Sequence, residues 1–244
     1  MEFINLIGKR LYGCASAKDY TDWAEGLLLD NADENSENVA ILAGIGLEKD
    51  PDSEEAEFYF QKSLKDLGLT IPDKQTALND YASYLCKQLI NKEIESETAV
   101  ELLQGLHFYS DYEPIYSIWH EISDDLWAIN NNDQAYINTI MTKHNKDEFL
   151  AEVARQFIVL LKLKLPDNFY KLSVCTECGY IGESTTRERN TPAFSNGFVK
   201  MLPDMILRLF PVEHVREATC AKCLKPFPKT MSDVVAREFF IKSQ

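Results

Sequence analysis

The sequence predicts a mainly α protein, with an irregular multi-helix domain over residues 1–165 and a small α+β module over residues 166–244. Three observations support this division. Apolar side chains recur at helical spacing through the first part, Pro166 and its neighbours interrupt that pattern, and two Cys-x-x-Cys pairs lie beyond the interruption. A chain of 244 residues is long enough for a domain of about 150 residues with a smaller appendage.

The first helices are predicted from their periodicity and from their capping residues. Residues 18–30 carry apolar side chains at positions i, i+3, i+4 and i+7 of one helical face. Residues 39–47 form a shorter apolar stretch whose two glycines lower its helix propensity. Asp52 is a capping residue for a third helix, and Gly68 suits the C-terminal end of that helix.

Further helical segments are predicted in the rest of the first part. They combine start signals, such as Pro72-Asp73 or Pro114, with a stripe of apolar residues on one face. No residue pattern recurs at a fixed period, so an irregular helical domain is preferred to a helical solenoid. The predicted segments are 72–89, 96–106, 112–129, 133–144 and 147–165.

Two pairs of cysteines, Cys175 with Cys178 and Cys220 with Cys223, have the spacing of structural zinc sites. Four thiolates complete the tetrahedral coordination of Zn²⁺, so we expect one structural zinc ion with no open position for a substrate. A redox-active pair and an iron–sulfur cluster are the alternatives. The presence of two pairs argues against the redox alternative, which usually involves a single pair.

Residues 170–174 alternate as a strand should, and this predicted strand leads into a turn at Cys175. The segment from Cys175 to Tyr180 has a glycine after its second cysteine and resembles the knuckle of a zinc ribbon. The segment around Cys220 matches less well, because Leu224 stands where the glycine is expected. The resemblance implies a zinc-ribbon-like module with a long insertion between its two pairs. His214, the only nearby histidine, is either a replacement ligand or an imidazole outside the coordination shell.

Charge is distributed unevenly between the two parts. Residues 1–165 contain 30 acidic and 14 basic side chains, a net charge of −16, whereas residues 166–244 contain 9 acidic and 11 basic ones, a net charge of +2. Together they give the net charge of −14. A negative field repels nucleic-acid phosphates and increases the association rate of a basic partner. The other interpretation of the charge is solubility alone.

Enzyme motifs are absent from the sequence. It contains no zinc-protease motif, no nucleophile elbow and no phosphate-binding glycine pattern. His120 and Glu121 invite an acid–base interpretation, but adjacent residues diverge on a helix. We expect Glu121 and Asp125 to form a solvated acidic face, and we expect the protein to be non-catalytic.

Acidic clusters with aromatic residues among them, in a chain without a catalytic motif, resemble bacterial immunity proteins, which neutralise toxins by covering a basic active site. The resemblance implies a protein-binding inhibitor whose carboxylates and aromatic rings meet lysine and arginine side chains of a basic toxin or effector. The candidate contact segments are 30–37, 50–57 and 111–125. Because zinc ribbons also serve nucleic-acid machinery, an accessory or regulatory protein of a nucleic-acid process is the second hypothesis, although the cations of residues 166–244 are scattered among acids.

The N-terminal sequence, the lengths of the apolar stretches and the spacing of the cysteines predict the cellular location. The N-terminus lacks a basic leader with a long apolar run, and no stretch reaches the ~18 apolar residues of a membrane span. Two isolated cysteines, Cys14 and Cys86, together with two close pairs, fit a reducing compartment. We therefore expect a cytoplasmic protein that has no membrane partner.

Overall fold

The structure is a computed structural model that describes residues 2–30, 36–132, 134–192, 212–226 and 228–244. Within these ranges the protein is mainly helical, and its strands lie in the C-terminal part, as the sequence predicted. The chain forms two compact units. The first, which we name the helical unit, consists of Met1–Ala135 and Met141–Leu161; the second, which we name the cysteine unit, consists of Tyr136–Ile140 and Lys162–Gln244.

The described residues of the helical unit form α-helices joined by short connections. A 3₁₀ helix, Pro114–Tyr116, leads directly into α7. None of the helices in the described ranges has both the length and the apolar composition that a bilayer span requires. The helices are α1 Phe3–Leu11, α2 Ala17–Asp30, α3 Glu37–Ile45, α4 Ser53–Asp66, α5 Lys74–Asn91, α6 Ser96–Tyr109, α7 Ser117–Asn132 and α8 Lys146–Leu160.

Helix starts follow local capping chemistry. The side chain of Asp52 accepts a hydrogen bond from the N–H of Glu55 at 2.8 Å, as the predicted start of α4 requires. The side chain of Asp73 does the same for the N–H of Thr76 at 3.0 Å, so Asp73 is the N-cap of α5. The prediction placed Pro72 in the first turn of this helix, but it lies before the cap.

Helix α1 lies where the sequence predicted no helix. Gly8, near its middle, lowers the intrinsic helix propensity of the segment. A Cβ atom on Gly8 would lie 2.2 Å from the ring of Tyr81 on α5, so only glycine allows this close approach. The packing of α1 on α5, rather than its own propensity, therefore stabilises the helix.

The predicted helix over residues 133–144 is wrong. Bends and turns occupy residues 134–145, and α8 begins only at Lys146. Polar side chains hold these turns: the Oδ1 atom of Asn145 accepts a hydrogen bond from the N–H of Thr142 at 2.7 Å. These side-chain hydrogen bonds offer the backbone an alternative to the helix that the apolar spacing suggested.

Phe60 of α4 lies in the core formed by the first four helices. Its ring centroid is 5.0 Å from that of Tyr20 and 5.1 Å from that of Trp23, both on α2. The guanidinium of Arg10 lies 5.0 Å from the centroid of Phe60 and is 2.8 Å from the carboxylate of Glu57. Burial of each large apolar side chain contributes about 1.5–3 kcal/mol to stability.

The described residues of the cysteine unit form two small antiparallel sheets, a 3₁₀ helix, Phe169–Lys171, and one α-helix. The first sheet has the order β2-β1-β5, and the second pairs β3 with β4. The predicted strand over residues 170–174 is present as the shorter β1. The elements are β1 Leu172–Val174, β2 Ile181–Glu183, β3 Thr185–Pro192, β4 Val212–Thr219, β5 Lys229–Thr230 and the helix α9, Val234–Lys242.

Helix α9 was not predicted from the sequence, and tertiary contacts hold it. The Oδ1 atom of Asn138 accepts a hydrogen bond from the N–H of Val234 at 2.9 Å, which satisfies a donor at the start of the helix. The fully buried Arg237 donates to the carbonyl oxygens of Met231 and Ser232 at 3.0 and 2.7 Å. The side chain of Asp233 also caps the helix by accepting a hydrogen bond from the N–H of Val235 at 2.8 Å, so a local residue and a distant one both fix its start.

Candidate metal centre

The four predicted cysteines come together in the cysteine unit. Their sulfur atoms all lie within 4.8 Å of one another. The sulfur of Cys175 is 3.5 Å from that of Cys223, and the sulfur of Cys178 is 3.7 Å from that of Cys220. Zn–S bonds of about 2.3 Å in a tetrahedron place the sulfur atoms about 3.8 Å apart. The cluster therefore has the dimensions of a tetrahedral thiolate site.

The cysteines of the cluster are free thiols. A disulfide bond requires sulfur atoms about 2.05 Å apart, well below the separations in the cluster. In the part of the chain that the structure describes, no other group of three or more cysteine, histidine or carboxylate side chains is close enough to share a metal ion. Any metal bound by the described residues in this way is therefore bound here.

The first Cys-x-x-Cys pair lies in the turn between β1 and β2. The N–H of Gly179 donates to the carbonyl oxygen of Cys175 at 2.8 Å, and the N–H of Cys175 donates to the carbonyl oxygen of Tyr180 at 2.9 Å. Gly179 has a φ angle of 68°, in the left-handed region that glycine adopts without strain. The two hydrogen bonds fold the segment back on itself and bring both sulfur atoms to one side.

The second pair forms the same turn with a different residue at its critical position. The N–H of Leu224 donates to the carbonyl oxygen of Cys220 at 2.9 Å, and the N–H of Cys220 donates to the carbonyl oxygen of Lys225 at 2.8 Å. Leu224 has a φ angle of 58°, so it adopts the conformation expected of glycine. The weaker sequence match at the second pair is therefore not accompanied by a different backbone.

Burial and hydrogen bonds shift the pKa values of two of the thiols in opposite directions. Burial opposes ionisation of Cys220, but the N–H groups of Cys223 and Lys222 favour its thiolate, and the net effect lowers its pKa to about 7. At Cys223 the N–H of Lys225 favours the thiolate, but burial and the hydrogen bonds with the other three cysteines together outweigh it and raise the pKa to about 12. Several thiolates this close together need a cation between them.

The insertion between the two pairs carries the β3–β4 ribbon. Its register places Arg187 opposite Glu217 and Glu188 opposite Arg216. The Nε atom of Arg216 is 3.4 Å from the carboxylate of Glu188. The arginines of this part of the ribbon thus face carboxylates, which reduces the positive field that they present. His214 lies in β4, and its side chain is outside the described part of the structure.

Two of the three candidate contact segments, 30–37 and 50–57, are described first. Within 30–37, residues 31–35 lie outside the described residues. In segment 50–57, Asp52 caps α4 and Glu57 pairs with Arg10. Two carboxylates of this segment are therefore already engaged inside the helical unit.

In segment 111–125, the predicted solvated acidic face of Glu121 and Asp125 is wrong. Asp125 is 0 % exposed, so it does not form a solvated acidic face with Glu121. It lies between Ile122 and Leu126 on α7, and this side of the helix packs inward. The acidic surface of the segment is instead provided by exposed residues such as Asp111 and Glu113.

His120 belongs to an aromatic cluster that the sequence analysis missed. Its Nδ1 atom is 3.1 Å from the amide nitrogen of Gln104, and its ring stacks on that of His107 with a centroid separation of 5.9 Å. Phe108 and Tyr112 complete the cluster. Its signal in the sequence was the aromatic content of residues 107–120, but only the fold brings the rings of α6 and α7 together.

Comparison of the chain with protein-family models, with curated proteins and with solved structures found no match. The resemblances to zinc ribbons and to immunity proteins therefore stay predictions that rest on the residues themselves.

Proposed function

We propose that Cys175, Cys178, Cys220 and Cys223 hold one structural Zn²⁺ ion. The separations of their sulfur atoms support this assignment, because they agree with four Zn–S bonds in a tetrahedron. Four thiolates leave no position for a substrate or for an activated water, so the ion serves the fold and supplies no reaction chemistry. An iron–sulfur cluster would be distinguished by elemental analysis and by its visible absorption.

We further propose that the protein is non-catalytic and binds a basic protein, as an immunity or inhibitor protein that neutralises a toxin or effector. The observation that carries this proposal is a run of fifty residues, 93–142, which contains ten acidic side chains and no lysine or arginine. These residues include α6 and α7. Asp125 of this run is buried, but the exposed carboxylates, such as those of Asp111 and Glu113, attract a basic partner at long range and disfavour acidic ones.

The proposed function is tested by capture of partners from native lysate, with and without nuclease treatment, followed by expression of the recovered partner alone. We expect a basic protein that is retained after nuclease treatment. We also expect its expression to inhibit growth and co-expression of this chain to restore it. Recovery of RNA or DNA as the only partner would contradict the proposal.

The second candidate function is an accessory role in a nucleic-acid process. It is favoured by the excess of basic residues in 166–244, with 11 basic against 9 acidic side chains. The pairing of Arg187 and Arg216 with carboxylates across the β3–β4 ribbon weakens this alternative. The nuclease-treated capture separates the two candidates, because a nucleic-acid partner would be lost on treatment.

A further inference from the structure

Aromatic rings are exposed at the end of α6 and beside the start of α7. We name His107, Phe108, Tyr112 and His120 the α6–α7 aromatic cluster. The side chains of Phe108 and Tyr112 are 51 % and 64 % exposed. Their ring centroids are 5.9 Å apart at an interplanar angle of 84°, and the ring of His107 lies 5.2 Å from that of Tyr112. A group of contacting rings on the surface is a feature of protein-binding sites.

The turn that presents Tyr112 is held in an uncommon backbone conformation. Asp111 and Tyr112 have φ angles of 57° and 64°, in the left-handed region that residues with a Cβ atom rarely adopt. The N–H of Tyr112 donates to the carbonyl oxygen of His107 at 3.0 Å, and the N–H of Glu113 donates to the hydroxyl of Ser110 at 3.2 Å. These hydrogen bonds hold the backbone from which the exposed ring projects before any partner binds, which reduces the entropy lost on binding.

The exposed rings of Phe108 and Tyr112 differ from the exposed ring of Phe58, which has a lysine side chain over it. On α4 the ammonium of Lys62 lies 4.3 Å from the ring centroid of Phe58. No lysine or arginine of the described residues lies over the ring of Phe108 or Tyr112. The negative face of an aromatic ring attracts a cation, so these two rings can accept one from outside.

The charges around the cluster favour a basic partner. Asp111 and Glu113, which flank Tyr112, are exposed. The ammonium of Lys74 is 2.7 Å from one carboxylate oxygen of Asp111, and residues 93–142 contribute no lysine or arginine of their own. Asp111 is already paired with Lys74, so the carboxylate that a guanidinium group over the rings would meet is that of Glu113. A nucleic-acid strand could stack on the same rings, but its phosphates would be repelled.

We propose that the α6–α7 aromatic cluster is the docking surface for an arginine-bearing segment of a basic protein partner. The guanidinium lies against the rings of Phe108 and Tyr112, with the carboxylate of Glu113 nearby. This inference rests on the proposed function and assigns it to one surface. Arginine is preferred to lysine because its planar group stacks on aromatic rings and is more weakly hydrated.

The test uses synthetic peptides with the repeat Arg-Ser-Gly, and matched peptides in which citrulline or glutamate replaces arginine. Binding to the full-length protein is followed by fluorescence anisotropy. We expect the wild type to bind the arginine peptide most tightly, with an affinity that decreases as salt is added. We expect the double variant Phe108→Ser/Tyr112→Ser to lose about tenfold in affinity, because it removes the cation–π contacts.

Phe58→Ser is the matched control, since it also removes an exposed ring from the helical unit. We expect it to bind the arginine peptide as the wild type does. Glu113→Gln is expected to weaken binding by about twofold, as for a charge at the rim of an interface. Helical circular dichroism and thermal unfolding of each variant show that a loss of binding does not come from a loss of folding.

The outcomes distinguish the surface from the function. Unchanged binding by the double variant, together with weaker binding after substitutions in residues 50–57, would overturn the assigned surface and leave the proposed function in place. Equal affinity of the wild type for the arginine and citrulline peptides would overturn the proposed arginine-docking surface, whereas capture from native lysate tests the proposed function separately. Tighter binding of a single-stranded oligonucleotide, lost in the double variant, would replace the basic protein by a nucleic acid as the occupant of the surface.

Discussion

The helical unit and the cysteine unit stabilise their folds in different ways. The helical unit distributes its stabilisation over many buried apolar side chains on α1–α8. In the cysteine unit the sheet beside the first cysteine pair has strands of only two or three residues. Two-stranded and three-stranded sheets of this length are marginal without further support. The zinc ion that we propose for the four cysteines would supply such support at one point.

This difference predicts how each unit responds to substitution. A distributed core loses stability in proportion to the side chain removed, because the remaining contacts persist. A unit that depends on one metal ion loses its fold when a single ligand is lost, because the free energy of metal binding is part of its folding free energy. Matched variants in the helical unit and in the cysteine unit can therefore compare how each unit responds to substitution.

The largest effect is expected from loss of a metal ligand. Cys220→Ser, or removal of zinc by a chelator, should unfold the cysteine unit, because structural zinc contributes about 10 kcal/mol or more in small zinc domains. Hydrogen exchange followed by mass spectrometry should show loss of protection in β1, β2 and β5 and retained protection in α2–α8. Elemental analysis should give one zinc ion per wild-type chain.

Cys14→Ser is the control for this comparison, because Cys14 is exposed and lies outside the cluster. It should retain the zinc ion and the protection pattern of the wild type. A metal-free protein with unchanged protection in the cysteine unit would contradict the structural role of the ion. Loss of protection in both units after Cys220→Ser would contradict their separate stabilisation.

The next effect concerns the core of the helical unit. Phe60→Ala removes a fully buried ring that contacts Tyr20 and Trp23, and it should lower the free energy of unfolding by about 3–5 kcal/mol. Phe58→Ala, on the same helix, removes a ring that is 53 % exposed and should change stability by less than about 1 kcal/mol. Denaturant unfolding followed by far-UV circular dichroism measures both. Equal effects of the two substitutions would contradict the described orientation of α4.

Features fixed by neighbouring residues could be predicted from the sequence. The capping side chain of Asp52 bonds three residues ahead, so the start of α4 was correct to the residue. The spacing of the cysteines also identified the cluster, because each pair lies in one short turn. The turn at Cys220 matches less well in sequence, because the left-handed conformation of Leu224 has no signal in a single sequence.

Features fixed by distant contacts could not be predicted in this way. Helix α1 depends on the fit of Gly8 against Tyr81, and α9 depends in part on the side chain of Asn138. The apolar spacing of residues 133–144 suggested a helix, but side-chain hydrogen bonds to the backbone form turns there. The aromatic cluster joins rings of two helices, so its surface is defined only after α6 and α7 have packed.

The next smaller effect tests the packing of α1 with two glycine substitutions that should change the free energy of unfolding in opposite directions. Gly8→Ala should destabilise the helical unit by about 1–3 kcal/mol, because its Cβ would overlap the ring of Tyr81. Gly44→Ala, on α3, introduces a Cβ with nothing within 4 Å and should stabilise by about 0.5–1 kcal/mol through higher helix propensity. Thermal unfolding of the two variants gives the signs. Stabilisation by both would contradict the contact between α1 and α5.

The smallest effect tests the backbone of the two cysteine turns. Leu224→Gly should relieve a left-handed conformation that costs about 1–2 kcal/mol for a residue with a Cβ atom. The greater freedom of glycine in the unfolded chain offsets about 0.5–1 kcal/mol of this gain, so the net stabilisation should be below about 1 kcal/mol. Gly179→Ala makes the reverse change at the first turn and should destabilise by a similar amount.

Leu224→Ala separates backbone strain from the loss of the leucine side chain, because it keeps a Cβ atom at the left-handed position. It should leave the stability of the cysteine unit close to that of the wild type, since the side chain of Leu224 is 57 % exposed. Thermal unfolding of the cysteine unit at one fixed concentration of free zinc is the measurement, because the midpoint depends on metal concentration. Stabilisation by Leu224→Ala as large as that by Leu224→Gly would show that the exposed side chain, rather than the left-handed backbone, opposes folding at the second turn.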